Sequence, residues 1–379
     1  MLFTLEAVEA KAGDSLLLHV GTAKSPELVV IDGGPAGVYT GTLKPRLDEL
    51  RSRRTPDQPL PIRMVMVSHI DDDHINGIVQ LGRDLKKRRD RKQAEPYRIL
   101  TLWHNSFNDI LGDDEKELTK SFTASLKATS VGSPLPKGGL QEHSALVLAS
   151  VGQGRELRDL AKGLNWSVNE GFLGLVAFAD GKKAPKFKLA GKATLTVLGP
   201  SQADLAALQT EWAKTVKKLG PAKTAAFVDD SVFNLSSIVV LAECGGRTML
   251  LTGDARGDEV LAGLTRAKLL KNGKIKVDLL KLPHHGSDRN VAPEFFQAII
   301  ADHYVVSGDG KHGNPEVETL QMLSDARGND VFTIHLTNTL PKLTAFFKKE
   351  KAAGKKYNVV FREPKALSLK VDLGDPLAD

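Results

Sequence analysis

Ten consecutive residues, Ser68-His69-Ile70-Asp71-Asp72-Asp73-His74-Ile75-Asn76-Gly77, place two histidines and three carboxylates side by side. They follow a mostly apolar run at 62–67 with the character of a buried strand. Asn76 and Gly77 then open a segment with helical spacing. The crowded aspartates repel one another unless they are protonated or bridged by a cation. A divalent metal held by histidine nitrogen and aspartate oxygen satisfies the whole group. Taken alone, a solvated turn capping the next helix would also account for the aspartates.

Two later strand ends carry the same residue types. The apolar run at 248–251 stops in Thr252-Gly253-Asp254, and the run at 277–282 stops in Pro283-His284-His285-Gly286-Ser287. Three strand ends bearing His69/Asp71/Asp73/His74, Asp254 and His284/His285 make a metal centre the stronger reading. Other strand ends are polar as well. Residues 28–31 end at Asp32-Gly33-Gly34, where glycine permits a close backbone approach. Residues 99–103 end at His104-Asn105, and 304–306 end in a loop containing Lys311 and His312. Nucleophilic alternatives fare worse. Ser68 and Ser287 lack a glycine-flanked nucleophile turn, and Cys244 has only Arg247 as an evident cationic neighbour.

The rest of the chain reads as scaffold for these loops. Residues 2–9 and 14–20 predict a hairpin, and 43–53 a helix ended by Pro56 and Pro59. Residues 78–92 predict the helix after the first motif. Its last ten residues hold seven basic side chains, read either as a solvated face or as a surface that contacts phosphate. From about 106 to 190, helical composition dominates, around 114–128, 143–150 and 154–163. This predicts a helical insertion, a lid or platform able to hold a protein partner. Gly152-Gln153-Gly154-Arg155 follows no strand, so a dinucleotide site is not indicated. Strands at 193–198, 237–242 and 248–251, helices at 205–219 and 258–270, and an alternating tail complete the chain.

Composition bounds the class. The chain has 379 residues, 41% hydrophobic and 26% charged, as in ordinary globular proteins. No stretch approaches the ~20 apolar residues of a membrane span. The first residues read as a strand instead of a secretion signal. A single cysteine forbids an internal disulfide and a cysteine-rich zinc site; a cytoplasmic setting is expected. A net charge of +6 permits an anionic substrate without demanding one.

The three motifs together resemble the metallo-β-lactamase superfamily, whose first motif is His-x-His-x-Asp-His. Gly13-Asp14-Ser15, Ile31-Asp32-Gly33-Gly34, Leu250-Leu251-Thr252-Gly253-Asp254 and His284-His285-Gly286-Ser287 are most similar to the hydrolase domain of ComEC-type DNA-uptake proteins and their soluble relatives. The resemblance covers about 1–105 and 190–315. It implies an α/β fold, a four-layer αβ/βα sandwich, here one domain over 1–379 with the helical insertion at about 106–190. It implies one or two divalent metals and a metal-bound hydroxide as nucleophile. By position, the resemblance implies that Asp73, His74 and one of His284 and His285, with His285 favoured, would hold one metal, that Asp254 would bridge, and that His284 would then face substrate. The other metal would take His69, Asp71, Asn234 and Asp254. Asp71 stands where the family has a second histidine and Asn234 where it has another. Such an oxygen-rich set favours Mn²⁺, Mg²⁺ or Fe²⁺ over Zn²⁺, unless His104 supplies a nitrogen. Asp14 and Asp32 are expected to orient ligands, and His104, Lys311 and His312 to meet an anion. Asp73, Asp254 and His284 are the expected catalytic groups.

Three functions are compatible with this reading. The first is a metal-dependent phosphodiesterase or nuclease acting on nucleic acid or a nucleotide. The second is a hydrolase of a small ester, lactone, thioester or nucleotide messenger. The third is a metal-binding regulator without turnover.

Overall fold

The structure is a computed structural model and describes residues 1–106, 140–179, 181–215 and 236–377. Among these, the strands in chain order are β1 (Leu2–Val8), β2 (Leu16–Thr22), β3 (Ser25–Ile31), β4 (Leu60–Met66), β5 (Tyr97–Trp103), β6 (Ser167–Val168), β7 (Lys186–Lys188), β8 (Thr194–Gly199), β9 (Val239–Cys244), β10 (Arg247–Leu251), β11 (Ile275–Lys281), β12 (Ile299–Val306), β13 (Thr333–Leu336), β14 (Asn358–Phe361) and β15 (Ser368–Asp372). The helices are α1 (Lys44–Arg54), α2 (Asp72–Asp90), α3 (Leu140–Gly163), α4 (Gln202–Thr215), α5 (Gly257–Arg266), α6 (Pro293–Ala298), α7 (Val317–Arg327) and α8 (Pro341–Ala352).

The strands form two sheets, ordered β15-β1-β2-β3-β4-β5-β6 and β14-β13-β12-β11-β10-β9-β8-β7. Each sheet joins an antiparallel portion to a parallel one: β3, β4 and β5 run parallel, as do β10 to β14. The apolar residues separate into three clusters. One lies between the sheets and takes Phe3, Leu18 and Met64 from one sheet and Val197, Leu251 and Leu279 from the other. A second joins Ile62 and Val65 to Leu47, Ile75 and Leu157 of α1, α2 and α3. The third joins Leu250 and Tyr304 to Leu264, Leu320 and Leu343 of α5, α7 and α8. Three apolar seams separate four layers, helices, sheet, sheet, helices. This is the four-layer αβ/βα order expected from the metallo-β-lactamase resemblance. Parallel strands covered on both faces are apolar throughout, as β4 shows by burying Met64, Val65 and Met66 in succession.

The elements depart from the sequence reading in places. Residues 140–163 make one helix where two were expected, and β6 and β7 lie inside the stretch read as helical. The helices expected at 114–128 and the end of that at 205–219 fall outside the described residues. β14 was not anticipated; it is a short edge strand whose side chains alternate only between exposed and half-buried. Helix α2 begins at Asp72, four residues before Asn76, so Asp72, Asp73 and His74 occupy its first turn and not a loop. The Asp71 carbonyl accepts from the N–H groups of His74 and Ile75. Carboxylates are favoured at that positive helix end, so the turn both starts the helix and carries the candidate ligands. Among the described residues, no helix is long and apolar enough to cross a membrane.

Two glycines seat α2 against the end of β3. The Gly33 N–H donates to the His74 carbonyl (2.7 Å), and the Gly77 N–H to the Gly34 carbonyl (3.0 Å). A Cβ on Gly77 would lie 1.9 Å from the Gly33 oxygen. Gly77→Ala therefore has to push the helix off the turn. We expect it to cost about 2–3 kcal/mol, the overpacking range, read as a lower urea midpoint. A loss under about 0.5 kcal/mol, typical of open surface sites, would mean that the two backbones are not held together this closely.

Candidate metal centre

The centre forms where the C-terminal ends of β4, β10 and β11 meet the β1–β2 turn and the end of β3. His69 and His74 follow β4, Asp254 follows β10, and His284 and His285 follow β11. Asp14 comes from the turn and Asp32 from the end of β3. Ligands in open α/β sheets characteristically bind at such strand ends.

Four side chains enclose one point. The Nε2 of His74 is 3.2 Å from Asp254 Oδ1 and 3.8 Å from Asp73 Oδ1. It lies 3.3 Å from His285 Nε2. His285 Nε2 is 3.4 Å from Asp73 Oδ2 and 3.6 Å from Asp254 Oδ2. Donors about 2.0–2.1 Å from a tetrahedral ion stand about 3.3–3.4 Å from one another. Several of these pairs lie near that spacing; Asp14, His74, Asp254 and His285 each offer one ligand atom within 4.8 Å of the others, and so do His69, Asp73 and His74. A second group adjoins it. His69 Nε2 is 3.5 Å from Asp71 Oδ2 and 3.8 Å from Asp254 Oδ2. His69 Nε2 and Asp254 Oδ1 are buried and make no hydrogen bond, a costly state for polar atoms unless something else satisfies them. The residues present fit a divalent metal.

Electrostatics agree with the geometry. Burial alone would raise Asp254, but the four histidines around it hold its carboxyl well below the usual range. Burial would lower His285, but Asp254, Asp14 and Asp73 push it up to about 10. His74 is driven upward against burial by Asp254, Asp32 and Asp73. The carboxylates thus impose a strong demand for positive charge at the centre.

Behind the ring atoms facing the centre, each imidazole is held at its other nitrogen. His74 Nδ1 is 2.9 Å from Asp32 Oδ2, while Ser68 donates to Asp32 from its N–H (2.7 Å) and its hydroxyl (2.6 Å). His285 Nδ1 is 3.2 Å from Ser307 Oγ. Asp14 lies behind His285, with Lys281 Nζ donating to its Oδ2 at 2.8 Å. His284 is partly exposed, its Nε2 3.6 Å from Asp254 Oδ2 and its Nδ1 2.6 Å from Asn290 Oδ1. His284 and His285 both adopt positive φ, 48° and 53°, a strained backbone of the kind concentrated at functional sites.

The structure thus brings together Asp14, Asp32, His69, Asp71, Asp73, His74, Asp254, His284 and His285. It places others elsewhere. His104 is buried with its Nε2 3.3 Å from the Gly154 carbonyl of α3. Lys311 and His312 are exposed on the loop after β12, whose two ends alone reach the centre, through Ser307 and Asn314. Asn234 lies outside the described residues. Four of the seven basic residues at the end of α2 pair with nearby acids: Arg83 with Glu156, Lys86 with Asp90, Arg88 with Asp84 and Arg89 with Glu95. Asp72 also turns away, accepting from Asn76 and Gln153.

Three participants were not singled out from the sequence. Lys281 carried a signal, a charge closing the apolar run Leu279-Leu280 at a strand that had to be buried. Ser307 sits at a strand end like the other site residues. Asn290 lies in a loop with no pattern to mark it.

No family model matches the chain, and no curated protein matches it. The structure is similar to that of the metallo-beta-lactamase fold protein YhfI from Bacillus subtilis, with a TM-score of 0.40 and 10% sequence identity, covering 98% of this chain and 100% of that one.

Proposed function

We propose that the protein is a metal-dependent hydrolase of the metallo-β-lactamase superfamily that cleaves phosphodiesters, in a nucleotide or a nucleic acid. The observation that carries this is the buried cluster of His74, Asp254 and His285, adjoined by Asp73, with His69 against the same Asp254 carboxylate and Asp71 against His69. Zn²⁺ suits the nitrogen-bearing set and Mn²⁺ the oxygen-rich one. A bound divalent ion supplies Lewis-acid polarisation and acidifies water.

The chain's own residues do the rest. Asp32 accepts a hydrogen bond from Nδ1–H of His74, which leaves the Nε2 lone pair facing the centre. Asn290 donates from Nδ2 to the Asp254 carbonyl (3.2 Å). That orients its Oδ1 toward His284, which therefore carries its proton on Nδ1. The Nε2 of His284 is left, at the open side of the centre, to exchange a proton with substrate or to meet a phosphoryl oxygen. The net charge of +6 suits an anion. The reading takes residues 1–379 as one domain in a cytoplasmic setting, and the stretch from 106 to 190 as the place for a protein partner.

A second reading, hydrolysis of a small ester, lactone or nucleotide messenger, is favoured by the ion pairs at the basic end of α2. They commit four of its seven basic side chains to acids and leave less charge for a polymer to follow.

The test is turnover of bis-p-nitrophenyl phosphate by metal-stripped protein reloaded with Zn²⁺ or Mn²⁺. Restored turnover is expected, and His284→Ala should lower kcat about 10²-fold, the usual contribution of one positioned proton donor or acceptor, with metal content unchanged. Loaded protein that cleaves small esters only would replace the phosphodiester with the second reading. Loaded protein with no turnover on any substrate class would leave a metal-binding regulator.

A further inference from the structure

Lys281 is an unusual residue to find where it is. Its side chain is 1% exposed, as is that of Asp14, and a buried ion pair of this kind is weak evidence for stability because apolar side chains of similar volume often serve as well. Its ammonium also donates to the Leu282 carbonyl (3.0 Å). It thus ties the β1–β2 turn to the end of β11, directly before His284 and His285.

The donor and acceptor inventory then sets directions. An ammonium only donates, so Asp14 Oδ2 accepts from Lys281. The other oxygen, Oδ1, accepts the Ser307 hydroxyl. With its proton committed to Asp14, Ser307 Oγ can only accept from His285 Nδ1, 3.2 Å away. We infer that Lys281, Asp14 and Ser307 form a positioning relay that fixes the tautomer and ring orientation of His285, so that its Nε2 lone pair faces the centre. His74 is held by a carboxylate directly, through Asp32 at 2.9 Å; His285 Nδ1 is nearer the Ser307 hydroxyl, at 3.2 Å, than the Asp14 carboxylate behind it, at 3.5 Å. The inference rests on the metal-centre reading above.

Partners of this kind commonly change metal affinity by about 10–100-fold when removed. The experiment is Zn²⁺ affinity measured by competition with a chromogenic chelator, with ¹⁵N NMR of histidine-labelled, Zn²⁺-loaded protein. In the wild type, His285, assigned by its loss in His285→Asn, should bind through Nε2 and keep a slowly exchanging proton on Nδ1. Ser307→Ala should bind Zn²⁺ about 10–100-fold more weakly at an unchanged Tm, and Ser307→Thr should recover most of the affinity. A wild-type spectrum with the metal on Nδ1 would overturn the relay whatever the variants do. So would Ser307→Ala with wild-type affinity. Wild-type protein that binds no Zn²⁺ or Mn²⁺ would instead defeat the metal-centre reading itself, a separate result.

Discussion

Asp254→Ala is expected to lower kcat/KM for the proposed phosphodiester cleavage by about 10³-fold or more, since metal stabilisation of a transition state is worth several kcal/mol and each 1.36 kcal/mol is tenfold in rate. Asp254 is the point on which the centre converges. Its oxygens face His74 at 3.2 Å, His284 and His285 at 3.6 Å, and His69 at 3.8 Å. It is the acid that the His69 group and the His74–His285 group share. Its loss should therefore empty both positions, whereas Asp71→Ala should affect only the His69 side. Asp254→Asn keeps the shape and removes the charge, separating chemistry from packing. Metal content by mass spectrometry and kcat/KM, measured on the same samples, check this. An Asp254→Ala protein that keeps its metal and acts within tenfold of the wild type would contradict the assignment of this carboxylate.

The second large effect is on stability. Glu6 and His19 are fully buried on β1 and β2, on the face covered by α1. Arg46 donates from Nε to Glu6 Oε1 at 2.6 Å. His19 Nε2 is 2.9 Å from Glu6 Oε2, and Arg54 donates to His19 Nδ1 at 2.8 Å. Since Nδ1 accepts from Arg54, His19 is neutral and donates from Nε2 to Glu6. Removing the Glu6 charge leaves the buried Arg46 with only the half-exposed Glu49 as its partner, at 2.7 Å, so Glu6→Gln should cost about 3 kcal/mol, the lower end for breaking a buried pair.

The same cluster sets acid sensitivity. Burial would raise the Glu6 carboxyl, but His19, Arg46 and Ser368 outweigh it and hold it at about 2, against 4.5 for the free group. A depressed folded-state value stabilises the protein above the unfolded value, and that contribution fades as pH falls from about 4.5 toward 2. The difference is worth about 3 kcal/mol at neutral pH, with about 2 kcal/mol of it gone by pH 3. Urea midpoints at pH 7 and pH 3 should therefore fall further in the wild type than in Glu6→Gln. Parallel falls in the two proteins would show that Glu6 is not the group responsible. The hairpin that Glu6 anchors carries Gly13 and Asp14, so this stability bears on the centre as well.

The composition of the site was legible in the linear chain. His69, Asp73, His74, Asp254 and His285 each stand directly after an apolar run, and burying such runs forces their ends to one side of a sheet. Alternation and apolar runs also foretold most strands, because those patterns are local consequences of which face is buried. What the chain could not show was direction. Whether His284 or His285 points inward depends on two consecutive positive-φ residues. That Asp72 turns toward Asn76 and Gln153 while Asp73 turns inward follows from helix α2 starting one turn earlier than its spacing suggested.

The sequence by itself determined which residue types gather at the candidate metal centre and the α/β framework that carries them, since both rest on chemistry and on periodicity within a few positions. Only the tertiary structure decided that Arg83 at the basic end of α2 pairs with Glu156, that His104 faces α3, and that Lys281 stands behind Asp14 and Ser307. Those contacts join residues up to hundreds of positions apart. Their partners are chosen by how the layers pack, a choice that no local pattern encodes.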